Sequence, residues 1–221
     1  MNESIQLVIQ YMPLFLKGLG YTVLVSVEAI LIAICISMIL TVLRMGGDSL
    51  PSRIVKKVVA VYISFVRGTP ILVQIYIIFQ VLAVAGLNLS GFTSGVIALS
   101  LNSGGFMAEI MRGGLAAIPK GQIEAATAIG MSKGKVWRRI ILPQVFQIAA
   151  PQLTSEFINV IKVSPMLSVL AVVELTRTAE RLVKVTGQAI PFYITIAIIY
   201  FIVCALLEEI VKFQERRKLT R

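Results

Sequence analysis

Residues 112–144 read RGGLAAIPKGQIEAATAIGMSKGKVWRRIILPQ and form a hydrophilic stretch between two strongly apolar runs. The stretch carries the signals of two short helices. Pro119 suits a first helical turn, Gly130 is typical of a C-terminal stop, and Ser132 is placed to cap a second helix. The sequence therefore predicts a helical hairpin over residues 113–141 rather than an unstructured connector.

The runs on either side of this stretch are long enough to cross a membrane. Of the 221 residues, 57% are apolar and 14% are charged, whereas soluble domains are typically about 45 to 50% apolar. About 20 apolar residues cross a hydrocarbon core. We therefore predict a single all-α membrane domain over residues 1–221, with five transmembrane helices and a cytoplasmic hairpin. The predicted spans are residues 19–43, 71–87, 92–111, 142–173 and 189–207, after an amphipathic N-terminal lead-in at residues 1–18.

Lysine and arginine concentrate in three segments, at residues 44–57, 112–139 and 212–221. The positive-inside rule places such segments in the cytoplasm, so the N-terminus is predicted outside and the C-terminus inside. Residues 174–184 are an exception. The number of spans before them places this segment outside, yet the segment is basic. The basic tail suits the negative inner leaflet better than nucleic acid.

A fixed pattern lies within the hairpin: Glu-Ala-Ala, three residues, Gly, nine residues, Ile, one residue, then Leu-Pro. This pattern resembles the signature of the permease subunits of ABC importers. The stretches SFVRGTPILVQ at 64–74 and AEIMRGGLAAIPKGQ at 108–122 resemble the polar amino acid uptake branch of that family. The residues at the fixed positions are Glu124, Ala125, Ala126, Gly130, Ile140, Leu142 and Pro143.

The resemblance implies a set of partners. It implies that Glu124, Ala125, Ala126 and Gly130 dock on a cytoplasmic ATPase dimer, which holds the ATP and Mg, while this chain binds no cofactor itself. It also implies a second permease copy, more readily an identical one than a related one, and an external binding protein that delivers amino acids. The implied location is a bacterial inner or plasma membrane.

The chain lacks the residues of an enzyme or a usual metal site. It contains no histidine and no Gly-rich phosphate loop of the GKS or GKT type, so neither imidazole chemistry nor nucleotide hydrolysis is available to it. A rival interpretation is a secondary amino acid transporter driven by an ion gradient. Five predicted spans do not divide into two equal inverted halves, which disfavours that rival.

Charged residues inside predicted spans need a partner or a purpose, because a charge at the bilayer centre is costly. Arg67, Glu109 and Arg112 lie near the cytoplasmic ends, where we expect them to pair with one another. Glu156 and Lys162 lie in the middle of the fourth predicted span. That span also contains three prolines, and an interrupted helix at membrane depth is tolerated where it lines a cavity or packs in protein.

We predict a mid-membrane amino acid site around Glu156, whose carboxylate receives a cationic group. Basic amino acids (arginine, lysine, histidine) are then the expected substrates, although the carboxylate would also suit the α-amino group of any amino acid. Alternatively, Glu156 pairs with Lys162, or Glu28 accepts from a neighbour, only to hold the bundle together. The small residues Gly104, Gly105 and Ser103 then merely let helices approach. Residues 174–184 are a predicted contact for the binding protein or simply a charged surface. The predicted substrate-binding residues are Glu156, Asn159, Asn102, Ser103 and Gln74.

Overall fold

The computed structural model describes residues 2–45, 47 and 49–219, and every regular element in this part of the chain is helical. The all-α prediction is therefore confirmed for these residues. The α-helices are α1 Asn2–Arg44, α2 Leu50–Gly68, α3 Ile71–Val84, α4 Gly91–Ala116, α5 Lys120–Ala128, α6 Lys133–Val136, α7 Leu142–Val163, α8 Leu175–Thr186 and α9 Ala189–Leu219. A π-helical turn, Trp137–Ile141, joins α6 to α7, and the 3₁₀ helix Ser164–Leu170 follows α7.

Three helical stretches in the described part of the chain are long and apolar enough to cross a membrane: Glu3–Arg44, Lys133–Leu170 and Ala189–Lys212. A bent pair, Leu50–Gly68 and Ile71–Val84, makes a fourth if both helices are counted as one span. Length and composition thus support three or four spans, and the five-span arrangement stays a prediction. The predicted lead-in at residues 1–18 is continuous with the first span, since α1 runs unbroken from Asn2.

The helix of the second predicted span begins at Ile71 as expected, but the basic segment before it is also helical. We expected a loop over residues 44–57, whereas α2 starts at Leu50 and buries Val59, Ile63 and Val66 on one face. Helices α2 and α3 meet at an angle of 118°. The cause is Pro70, which disfavours the helical conformation at Thr69; Thr69 is extended, with φ −123° and ψ 147°.

Helix α4 lies at the centre of the bundle and packs against α1, α2, α3 and α7. Two of its glycines allow this close packing. A Cβ atom on Gly104 would lie 2.6 Å from Ile36 of α1, and one on Gly105 would lie 3.0 Å from Val66 of α2. The packing interpretation of these glycines is confirmed. A helix buried on several sides by other helices also has less need of a strongly apolar composition.

We expect Gly104→Ala to destabilise the bundle by about 1 to 3 kcal/mol, since the added methyl group forces α1 away from α4. Gly113→Ala is the matched control, because it changes the same helix at a position where a Cβ meets nothing within 4 Å. Thermal unfolding of the purified chain in detergent checks this. Equal melting temperatures for the two variants would contradict the close-packing explanation.

The expected pairing near the ends of α2 and α4 is also present. Glu109 accepts from Arg112, whose Nη2 lies 2.6 Å from Oε1, and Arg67 Nη1 lies 3.8 Å from the same oxygen. Arg44 at the end of α1 adds a third guanidinium, with Nη1 2.8 Å from Oε2 of Glu109. Arg44 and Arg112 come from the two basic segments 44–57 and 112–139, which were both predicted to be cytoplasmic. These segments therefore meet at one end of the bundle.

Candidate functional site: a polar cluster on α4 and α7 and the α5–α6 segment

Glu156 lies on α7 with its carboxylate turned towards α4. The residue is buried, with 8% of its surface exposed. Oε1 accepts a hydrogen bond from Ser103 Oγ at 2.8 Å, and Oε2 accepts one from Asn159 Nδ2 at 3.4 Å. Sequence analysis named all three residues, and the structure brings them together. Their bonds leave the carboxylate held by neutral donors only.

Lys162 does not supply the counter-charge that the alternative interpretation required. Within the described residues, no Lys or Arg nitrogen lies within 4.0 Å of the Glu156 carboxylate. Lys162 instead lines a separate cavity with Tyr200, Cys204 and Glu208 of α9. The pairing of Glu156 with Lys162 is therefore wrong for this structure, and another reason must account for the buried carboxylate.

Gln74 and Asn102 form a second polar group with a different task. Gln74 Nε2 donates to the carbonyl oxygens of Val66 and Thr69 at 2.9 and 3.1 Å, while Asn102 Nδ2 donates to Gln74 Oε1 at 3.0 Å. The carbonyls at the end of α2 need such donors, because a helix end leaves its last carbonyls unsatisfied. These two side chains therefore stabilise the bend before Pro70.

The five predicted binding residues thus form two groups rather than one. Asn102 and Ser103 are consecutive on α4, so their side chains point about 100° apart around the helix axis. Asn102 contacts Gln74 on one side, and Ser103 contacts Glu156 on another. The sequence spacing identified the polar positions but did not indicate that adjacent residues would serve different neighbours.

One face of α7 is polar and exposed on the isolated chain. Positions spaced by three and four residues share a helix face, so these side chains form a continuous stripe. Asn159 belongs to it and also contacts Glu156. Polar groups on a membrane-facing surface are unfavourable unless water or protein meets them. The exposed residues of this stripe are Gln152, Ser155, Asn159 and Lys162.

The segment between α4 and α7 folds as two helices around a tight turn. At this turn Gly130 has φ +77°, and the N–H groups of Gly130 and Met131 donate to the carbonyls of Thr127 and Ala126 at 3.0 and 3.1 Å. This is the Schellman arrangement that a glycine after a helix end favours. The predicted helix stop is confirmed, and Ser132 occupies the predicted N-cap position, although its side chain makes no capping bond.

The four predicted docking residues have two different environments. Glu124 and Ala125 are exposed on α5. Ala126 is buried in an apolar cluster that includes Val136, and Gly130 builds the turn, so these two shape the segment. Sequence analysis did not single out Ile129, which is 80% exposed beside the turn. An apolar residue directly before a helix-terminating glycine was the available signal.

The second helix of this segment is not separate from the following span. Helix α6, the π-helical turn and α7 run on into one stretch, Lys133–Leu170. Pro143 contributes to the irregular turn, because it has no N–H to donate to the preceding helical turn. Gln144 Nε2 donates to Gln122 Oε1 of α5 at 2.7 Å. This side-chain hydrogen bond joins α5 to the start of the helix that carries Glu156.

At the opposite end of α7, Glu174 caps α8. It is fully buried, and its carboxylate accepts from the N–H groups of Thr176 and Arg177 at 2.8 and 2.7 Å and from the Tyr200 hydroxyl at 2.9 Å. Burial raises the pKa of this carboxyl, against the opposing effect of the three hydrogen bonds. Arg181 and Lys184 are exposed on α8, so only part of residues 174–184 is available to a partner.

Residues 33–220 match the family described as the binding-protein-dependent transport system inner membrane component. The chain belongs to this family. Among the described residues of this inner membrane component, no group of three His, Cys, Asp or Glu side chains could hold a metal ion. The matched region includes α4, the α5–α6 segment and α7, which carry the polar cluster and the fixed hairpin pattern.

Individual relatives cover almost the whole inner membrane component. The L-cystine transport system permease protein TcyB of Bacillus subtilis is 36% identical over 94% of this chain and 87% of its own length. The arginine transport system permease protein ArtQ of Bacillus subtilis is 31% identical, covering 98% of both chains. The glutamine transport system permease protein GlnP of Escherichia coli is 32% identical, covering 93% of both chains.

Solved structures agree with the fold of the inner membrane component. A chain from the crystal structure of an amino acid ABC transporter with histidines superposes with a TM-score of 0.88 at 36% identity, covering 95% of this chain and 96% of that chain. The inward-facing MetNI methionine ABC transporter has a TM-score of 0.71 at 17% identity, covering 98% of each chain. The second likeness supports the fold alone.

Proposed function

We propose that this chain is the membrane-spanning permease subunit of an ABC importer for polar amino acids, and that a separate ATPase drives it. The family supports a transport component, and the relatives named for cystine, glutamine and arginine support amino acids as cargo. The observation that carries the proposal is a buried carboxylate, Glu156, on a helix that continues directly into the α5–α6 segment.

The substrate path follows the polar stripe of α7. A second permease subunit covers this stripe in the assembled transporter and leaves a polar passage between the two copies. The energetic reason is that amide, hydroxyl and ammonium groups avoid lipid unless they are hydrogen-bonded. An identical copy satisfies this requirement, because the stripe then meets itself across a twofold axis. A related permease with its own polar stripe would satisfy it as well.

Within the path, Glu156 receives the cationic group of the amino acid. Ser103 and Asn159 orient its two oxygens, and a ligand cation would supply the counter-charge that the described residues do not. A substrate with a cationic side chain gains a charge-assisted hydrogen bond, which is stronger than a neutral one. We therefore assign basic amino acids as the preferred substrates, and the α-ammonium group as the weaker alternative.

Coupling to the ATPase runs through α5. Exposed Glu124, Ala125 and Ile129 form the docking surface, while Ala126 and Gly130 keep its shape. When the ATPase shifts α5, the hydrogen bond from Gln144 to Gln122 transmits the movement to the start of α7. Because α6 and α7 form one continuous stretch, the position of the docking surface and the position of Glu156 change together.

The proposed orientation puts the N-terminus outside and the C-terminus and the α5–α6 segment in the cytoplasm of a bacterial cell. This follows from the distribution of lysine and arginine. The external binding protein then meets the end of the bundle that includes α8, where Arg181 and Lys184 are exposed. Two exposed cations suit a partner with an acidic docking surface.

Uptake into vesicles tests the proposal. The chain is reconstituted with an amino-acid importer ATPase and a matching binding protein, and labelled arginine, lysine, histidine, glutamine and cystine are offered with and without ATP on the ATPase side. We expect uptake that requires ATP and favours the basic amino acids. Uptake that needs no ATP but follows an ion gradient would contradict the importer proposal and favour a secondary transporter.

A further inference from the structure

A basic cavity lies where the ends of α1, α2 and α4 meet, away from the polar cluster around Glu156. Its volume is about 340 Å³, and its walls include Arg44, Lys56 and Arg112 together with Thr41 and Ala60. Three cationic side chains from three helices thus converge on one concave surface. Neither the substrate path nor the docking surface on α5 uses them.

The ion pairs behind this cavity leave positive charge in excess. Among the described residues, Arg44, Arg67 and Arg112 share one carboxylate, that of Glu109, so three guanidinium groups face one negative charge there. Each guanidinium has five N–H donors, whereas Arg44 donates one hydrogen bond to Glu109. The half-exposed Arg112 therefore has donors to offer to an anion in the cavity, and a guanidinium matches the geometry of a phosphate group.

Exposed apolar residues lie within a few positions of the cavity residues along both α1 and α2. Ile39 and Val42 on α1 are 59% and 64% exposed, and Val58 and Val61 on α2 are each 63% exposed. The cations therefore lie at the border between apolar surface, which suits acyl chains, and the basic end of the bundle. A phospholipid has the complementary arrangement, since its acyl chains adjoin a negatively charged phosphate group.

We propose that this cavity binds the phosphate group of an anionic phospholipid from the inner leaflet. The phosphate contacts Arg44 and Arg112, and the acyl chains lie along the exposed apolar residues of α1 and α2. Inner-leaflet lipids carry negative charge and attract basic residues at the membrane surface. A bound anionic lipid also balances the excess charge around Glu109 and holds the ends of the three helices together.

Native mass spectrometry of the full-length chain, titrated with phosphatidylglycerol and with phosphatidylcholine of identical acyl chains, tests the proposal. We expect tighter binding of phosphatidylglycerol. Arg112→Gln should weaken it about fivefold, the effect of about one basic residue near an anionic surface. Lys184→Gln is the matched control, because it removes one exposed charge from α8; it should leave lipid binding unchanged.

A second variant separates charge from folding. Glu109→Gln removes the carboxylate that competes for the arginines, so it should bind phosphatidylglycerol more tightly than the unmodified chain. Equal binding of the two lipids, or unchanged binding by Arg112→Gln, would overturn the proposal. Displacement of the lipid by millimolar inorganic phosphate would overturn the lipid as occupant in favour of a free anion. If Arg112→Gln loses ATPase binding but keeps lipid binding, the cavity contacts the ATPase and the lipid proposal is wrong.

Discussion

Replacing Glu156 by Gln should lower ATP-driven uptake of arginine and lysine by about 10- to 100-fold, the loss expected when a hydrogen bond to a charged group is removed. Glutamine has nearly the same size, and its amide oxygen can still accept from Ser103 or Asn159. The variant therefore removes the charge while keeping the packing between α4 and α7. Initial uptake rates in reconstituted vesicles measure the effect.

Two comparisons make this result specific. Glu28→Gln removes another carboxylate from a predicted span; Glu28 is half-buried on α1 and should leave uptake unchanged. Glutamine as substrate separates the two roles of Glu156. If only arginine and lysine uptake falls, the carboxylate binds the side chain, and if glutamine uptake falls equally, it binds the α-ammonium group. Normal uptake of all three by Glu156→Gln would remove Glu156 from the substrate path.

The second large effect is expected at the docking surface. Ile129→Asp places a charge on an apolar residue that is 80% exposed, and burying that charge against the ATPase would cost several kcal/mol. We expect the ATPase to dissociate during purification of the complex and uptake to fall at least about tenfold. The fold should persist, because an exposed substitution rarely changes stability by more than about 0.5 kcal/mol.

Val185→Asp is the matched control for this variant. Val185 is also 80% exposed, but it lies on α8, so its substitution should leave the ATPase bound. Co-purification of the ATPase with each variant, followed by its hydrolysis rate in the complex, gives the comparison. If Ile129→Asp keeps the ATPase as well as Val185→Asp does, the docking surface proposed on α5 is wrong.

The positions of most helices could be predicted from the sequence, because apolar runs and helix-terminating residues act locally. The helix stop at Gly130 was predicted from its residue type, and Gly130 has the positive φ, +77°, that glycine favours at such a stop. Helix α2 was missed because its apolar residues are spaced by three and four positions among Arg53, Lys56 and Lys57. A search for continuous apolar runs does not detect such an amphipathic helix.

The candidate site could be predicted only in part. Of the five residues predicted as one site, Glu156, Asn159 and Ser103 are in contact, and the spacing of Glu156 and Asn159 by three positions indicated that these two share a helix face. The task of Gln74 could not be foreseen, because it depends on the carbonyls that the bend at Pro70 leaves unsatisfied. The pairing of Arg112 with Glu109 on α4 was predicted, whereas the contact of Arg44 with Glu109 was not, because it joins residues from two helices.

The sequence by itself determined the membrane character of this chain, its helical class and the turn at Gly130 that ends α5. Each of these depends on residue types within one segment. The tertiary structure alone decided which polar groups meet. It separated Asn102 from Ser103, removed Lys162 from Glu156 and added Arg44 to the predicted pairing of Glu109 with Arg67 and Arg112. The physical reason is that contacts between helices depend on how closely their backbones approach, and at Gly104 that approach requires the absence of a single methyl group.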